Sequence, residues 1–224
     1  MKLECRGYKM SKMKITNYVV GMLQTNCYIV INEEKKECFI IDPGASGKQL
    51  AENIRQDGLT PVAVLLTHGH FDHVDAAKTL AEEFDIKIYA HEKEESTLKY
   101  PDKNASSMVR VGESYAADVF FKDEEVITLA DFEIKVLHTP GHTEGGCCYY
   151  IPTEDVIFTG DTLFAGCVGR TDLPGGSMSQ IVRSVREKLL TLNEAGNLET
   201  DIMVYPGHNE PTTIETERME NPYL

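Results

Sequence analysis

The chain has 224 residues and a net charge of −14, a field that repels phosphate backbones and anionic membrane surfaces and so sets aside nucleic acid and membrane as partners. It has no run of 18 apolar residues and no apolar stretch within MKLECRGYKMSKMK, so the sequence predicts neither a transmembrane helix nor a secretory leader. Hydrophobic residues at 42% can build a core without disulfides, and six cysteines without CxxC spacing read as reduced thiols of a cytoplasmic protein.

Residues 1–12 fit no pattern and are expected to be a flexible extension, with one domain over 13–224. Strands are predicted at Ile15–Val20, Cys27–Ile31 and Cys38–Ile41, followed by an Asp42-Pro43-Gly44 turn. Ser46 and Gln49 have capping-box spacing, with Leu50 and Ile54 on one helical face. Val62–Leu66 reads as a buried strand, Val74–Phe84 as a helix and Ile86–Ala90 as a strand. Segment 92–117 reads as an irregular polar insertion loop.

Further strands are expected at Val119–Phe121, Glu125–Leu129, Phe132–His138, Cys147–Ile151, Val156–Thr159 and Ile202–Tyr205. Adjacent Cys147 and Cys148 would point to opposite faces of their strand, one into the core and one to the surface. Phe164–Ser177 is Gly-rich. Ser177 and Gln180 again have capping-box spacing ahead of an Ile181, Val185, Leu189 stripe, and Glu210–Met219 reads as a terminal helix. Strands cluster in each half with helices between them, which predicts two packed sheets with helices outside, a four-layer α/β sandwich.

His68, His70, Asp72 and His73 form an HxHxDH motif directly after the apolar strand. Residues two apart on extended chain share a face, and Asp72 and His73 follow where the chain turns into a helix. Such a cluster is costly to pack without a divalent cation. His142, Asp161 and His208 also follow predicted strands, each preceded by Gly, which permits tight turns at a crowded centre. Seven donors exceed one tetrahedral zinc and suit two metals sharing a carboxylate, roughly 3.5–4 Å apart. His91 and His138 lack this context and read as core or solvated histidines.

These residues, with Ala76, Gly141-His142-Thr143, Gly160-Asp161 and Pro206-Gly207-His208, resemble the metallo-β-lactamase superfamily in order and spacing. Leu23-Gln24-Thr25-Asn26-Cys27-Tyr28, Asp42-Pro43-Gly44, Thr139–Thr143 and Gly160–Phe164 are similar to glyoxalase II-like hydrolases. Gly169-Arg170-Thr171-Asp172-Leu173-Pro174-Gly175-Gly176 and Asn221-Pro222 resemble their short bacterial branch. The resemblance implies an αββα sandwich with His68, His70 and His142 on one metal, Asp72, His73 and His208 on the second, and Asp161 bridging. Asp42 would orient a ligand from behind.

The implied cofactors are two divalent ions, zinc first, with iron or manganese suited to the same donors. The implied activity is hydrolysis of S-lactoylglutathione or a related thioester by a metal-bound hydroxide, with Asp72 as the catalytic carboxylate. A thiolate leaves without a general acid, which favours thioesters over β-lactams. A mononuclear iron persulfide dioxygenase, a lactone hydrolase and an inactive metal-binding module are the alternatives. Full-length glyoxalase II enzymes carry a helical domain that grips glutathione; here only 209–224 follow His208, so substrate contacts fall to 92–117 and Gly166–Gly176, with Arg170 as the cation for an anionic group or an ion-pair partner of Asp172.

Overall fold

Apolar, β-branched runs form two six-stranded sheets in the computed structural model, which describes residues 12–192 and 201–224. In the first sheet β1 (Met13–Val20), β2 (Thr25–Asn32), β3 (Glu37–Ile41), β4 (Thr60–Leu65), β5 (Lys87–His91) and β6 (Val119–Phe121) stand side by side in chain order. The hairpins β1–β2 and β2–β3 are antiparallel, whereas β3 to β6 run parallel. Parallel neighbours need crossovers. These carry α1 (Gly47–Gln56), α2 (Phe71–Val74), α3 (Ala77–Phe84) and α4 (Glu95–Lys99).

The second sheet contains β7 (Val126–Leu129), β8 (Phe132–His138), β9 (Cys147–Ile151) and β10 (Val156–Gly160). A small separate hairpin, β11 (Leu163–Phe164) and β12 (Cys167–Val168), follows. After α5 (Met178–Ser184), β13 (Met203–Pro206) pairs parallel with β10, and β14 (Thr212–Thr213) leads into α6 (Ile214–Glu220). The order is β14-β13-β10-β9-β8-β7.

All eight residues of β2 are buried, because both faces of the sheet are covered. Cys27, Ile29 and Ile31 pack with Leu50, Ile54 and Leu80 of α1 and α3, while Tyr28 and Val30 meet Ile134, Val136, Tyr149 and Phe158 of the other sheet. A third cluster joins Leu137, Cys148, Ile157 and Val204 to Ile181 and Val185. The result is the expected αββα sandwich of four layers.

The details depart from the sequence reading where local cues meet tertiary packing. Cys147 and Cys148 do point to opposite faces, but both are buried, since the outer face of β9 lies under helix α5. Neither capping box forms. Ser46 sits in the left-handed region at φ 61°, and Gln49 donates to Asn53 instead. Ser177 is extended, but its hydroxyl meets Ser179 rather than a backbone N–H.

The helix expected from Val74 begins at Phe71 and breaks at Asp75–Ala76. Segment 92–117 is not irregular throughout. It holds a 3₁₀ turn at Glu92–Glu94, α4 and a second 3₁₀ turn at Ser106–Met108, with Glu94, Leu98, Asn104 and Ser106 buried. The stripe after α5 continues as a π-helical turn at Val185–Leu189, and the terminal helix starts at Ile214. The extension predicted for 1–12 lies outside the described residues except Lys12, whose ammonium pairs with Asp131 at 2.8 Å. Among the described residues, the five cysteines are free and no helix is long and apolar enough to cross a membrane.

Candidate metal centre

The two sheets are tied together where β4 and β13 end. Cys147 N donates to Thr67 O at 2.9 Å, and the Tyr149 hydroxyl donates to Leu66 O at 2.7 Å. From the first sheet, Asn26 donates through its backbone N to Gly207 O at 2.7 Å and through Nδ2 to Pro206 O at 3.0 Å. These bonds bring the chain after β3, β4, β8, β10 and β13 to one place, and all seven expected ligands lie there.

His68, His70 and His142 form one buried group, and Asp72, His73 and His208 a second; within each, one ligand atom per residue lies within 4.8 Å of the others. Asp161 spans them: its Oδ2 is 3.6 Å from Nε2 of both His142 and His208, and its Oδ1 is 3.4 Å from His73 Nε2. His70 Nδ1 and His142 Nε2 approach to 2.8 Å.

Hydrogen bonds hold several of these side chains from the side away from the cluster. His142 Nδ1 donates to Arg170 O at 2.8 Å, leaving Nε2 to the centre. His73 Nδ1 donates to Asp42 Oδ2 at 2.9 Å, and Asp42 also accepts from Thr67 N at 2.7 Å and Thr67 Oγ1 at 2.5 Å. Asp72 Oδ2 accepts from Thr25 Oγ1 at 2.9 Å. Gly44 is required by close approach, because a Cβ there would lie 1.4 Å from Asp72 O.

The donor set fits divalent cations on three observations. Buried His68 Nε2, His70 Nε2 and Asp161 Oδ1 have no hydrogen-bond partner, which is costly unless another group satisfies them. Burial holds His68, His70 and His142 below the ordinary imidazole value, so they are neutral donors. Burial opposes charge on His73 and His208, but Asp72 and Asp161, joined at His73 by Asp42, raise both, so the cluster calls for positive charge.

Three residues support the centre in roles the sequence does not assign. Thr25 and Asn26 are polar and buried on an otherwise apolar strand, a signal that was open to notice. Glu94 gave none, since it sits in a run of charged residues. Its buried carboxylate accepts from Gly69 N at 2.8 Å, Gly145 N at 2.7 Å and Thr143 Oγ1 at 3.0 Å, joining the loop of His68 and His70 to the loop of His142. Burial pushes its carboxyl up to about 7 against the pull of these donors. His91 and His138 join neither ligand group; their rings stack at 4.2 Å.

Arg170 borders the cleft over the centre, and its guanidinium holds Asp172 with two 2.7 Å bonds.

A family model for the metallo-beta-lactamase superfamily matches residues 20–208. The chain belongs to this superfamily. It is 39% identical to the probable metallo-hydrolase YqgX of Bacillus subtilis, over 95% of this chain and 98% of that one. It is 36% identical to hydroxyacylglutathione hydrolase GloC of Haemophilus influenzae, over 95% and 98%. Among solved structures, BLEG-1 B3 metallo-beta-lactamase superposes with a TM-score of 0.86 at 37% identity, over 94% of this chain and 99% of that one. TTHA1623 in a di-iron-bound form gives 0.80 at 35% identity, over 93% and 100%.

Proposed function

We propose that this metallo-hydrolase is a binuclear thioesterase of the glyoxalase II type, acting on small thioesters in the cytoplasm. The observation that carries the reading is the position of Asp161 between two groups of three ligands. His68, His70 and His142 would hold one ion, Asp72, His73 and His208 the other, with Asp161 shared. Zinc, iron and manganese all suit this donor set.

When bound, such ions lower the pKa of water from 15.7 toward ~7 and polarise a carbonyl. Asp72, fixed by Thr25, receives the proton that water loses on attacking the thioester carbonyl. The leaving thiolate, from a thiol of pKa ~8.5, departs without a general acid. The similarity to hydroxyacylglutathione hydrolase GloC supports the thioester.

Asp161→Ala tests this directly. It lowers both metal content and thioester hydrolysis; retention of both overturns the shared-carboxylate reading.

A further inference from the structure

The cleft over the metal centre has a volume of about 490 Å³, within the roughly 300–1,000 Å³ of small-molecule sites. His70, Asp72, His142, Asp161 and His208 form its floor. Its walls are apolar. Leu23 at the β1–β2 turn, Phe71 at the start of α2, Met108 and Val109 after α4, and Phe164 and Leu173 in the Gly-rich segment all face it. Met108 is 67% exposed, and Leu23 and Val109 are each 48% exposed. Exposed apolar side chains gathered along one cleft, rather than scattered, are the pattern of a ligand-binding groove.

Cations are scarce at this wall. Among its described residues, Arg170 is the sole Lys or Arg, and the Nε/Nη2 edge of its guanidinium already faces Asp172. Arg110 lies over the Phe71 ring, 5.7 Å from its centroid, and is held by Asp75 and the Tyr115 hydroxyl. A substrate recognised through several carboxylates would find a single, already ion-paired guanidinium along this wall, in a chain of net charge −14.

We propose that the cleft selects thioesters by an apolar acyl chain, seated against Leu23, Met108, Val109 and Phe164, rather than by an anionic thiol portion. This rests on the thioesterase reading for its reaction, and on the cleft alone for its selectivity. The wall opens directly onto the ligands, so an acyl chain bound there leaves its carbonyl at the metal floor.

The test compares acetyl and hexanoyl thioesters of N-acetylcysteamine, which carry no net charge, with S-lactoylglutathione. Each buried methylene adds affinity, so kcat/KM rises about tenfold or more from acetyl to hexanoyl and exceeds that for S-lactoylglutathione. Equal rates for the two acyl chains, or preference for S-lactoylglutathione, overturn the inference and leave the thioesterase reading standing.

Binding is read separately with the hydrolysis-resistant amide analogues. The hexanoyl amide binds the metal-loaded protein about tenfold more tightly than the acetyl amide; equal affinity overturns the inference. Cleavage of no thioester by metal-loaded protein defeats the thioesterase reading, while the amide binding still decides the selectivity. The double variant Met108→Ser with Val109→Ser, with metal content checked, lowers the hexanoyl-to-acetyl ratio about fivefold; an unchanged ratio counts against the assignment. A dimer of the natural chain that this variant dissociates gives the patch to a second copy and overturns it.

Discussion

Asp42 Oδ2 and His73 Nδ1 meet at 2.9 Å, on the opposite side of the imidazole from Nε2. The contact fixes the His73 tautomer, since Nδ1 donates and Nε2 is left as the donor atom for a cation. Both Asp42 oxygens also serve Thr67, so one side chain sets the strand end that delivers His68 and the ring of His73. Asp42→Asn replaces one acceptor with a donor facing N–H or O–H groups. Metal affinity falls about 10–100-fold, measured by chelator competition. Affinity equal to that of the natural chain contradicts the role.

Glu94 makes a separable prediction. Removing a buried acceptor of three hydrogen bonds leaves Gly69 N, Gly145 N and Thr143 Oγ1 unpaired. Glu94→Ala therefore costs about 1–3 kcal/mol. Glu94→Gln keeps one acceptor oxygen and falls between. Urea unfolding measures stability, and metal titration shows whether the His70–His142 geometry loosens with it. Full metal affinity in Glu94→Ala contradicts a positioning role.

Gly207 is packed against Asp161 and His73. A Cβ there would lie 2.4 Å from Asp161 Oδ1 and 2.7 Å from His73 Cε1. Gly207→Ala pushes both side chains from their positions. Metal affinity and turnover drop by more than tenfold, while the far-ultraviolet circular dichroism of the fold stays unchanged. Retained affinity contradicts the tight packing.

His91 links stability to pH. Burial, with His138 and Lys93 nearby, pulls its imidazole down to about 4. Between that value and an unfolded value near ~6.5, the unfolded chain binds more protons than the folded one, so stability falls as pH drops through this window. The loss is on the order of 1–3 kcal/mol. His91→Asn keeps the acceptor that receives Lys93 N and removes the titration. Chelator-treated natural chain should lose melting temperature relative to this variant from pH 6.5 to 4. Parallel pH curves contradict the assignment.

The convergence of these seven side chains was legible because the candidate donors are compressed in the sequence. His68, His70, Asp72 and His73 occupy six consecutive positions, and His142, Asp161 and His208 each follow a glycine at a strand end. The sandwich was readable because β2, β4 and β10 are near-continuous apolar runs, the pattern of strands covered on both faces. What escaped depends on distant partners. Ser46 and Ser177 have cap-forming spacing, but φ at Ser46 and the bond from Ser177 to Ser179 direct their hydroxyls elsewhere. Glu94 reads as surface charge until Gly69 and Gly145 converge on it from separate loops. One of Cys147 and Cys148 reads as exposed until α5 covers the outer face of their strand.

Metal content and thioester hydrolysis, measured on one sample purified without added metal, bear most directly on a shared Asp161. Two divalent ions per chain, with hydrolysis lost on chelation and restored on reloading, is the expected result. One iron per chain, no thioester turnover and oxygen consumption with a persulfide would contradict it, and would make the centre a mononuclear oxygenase site.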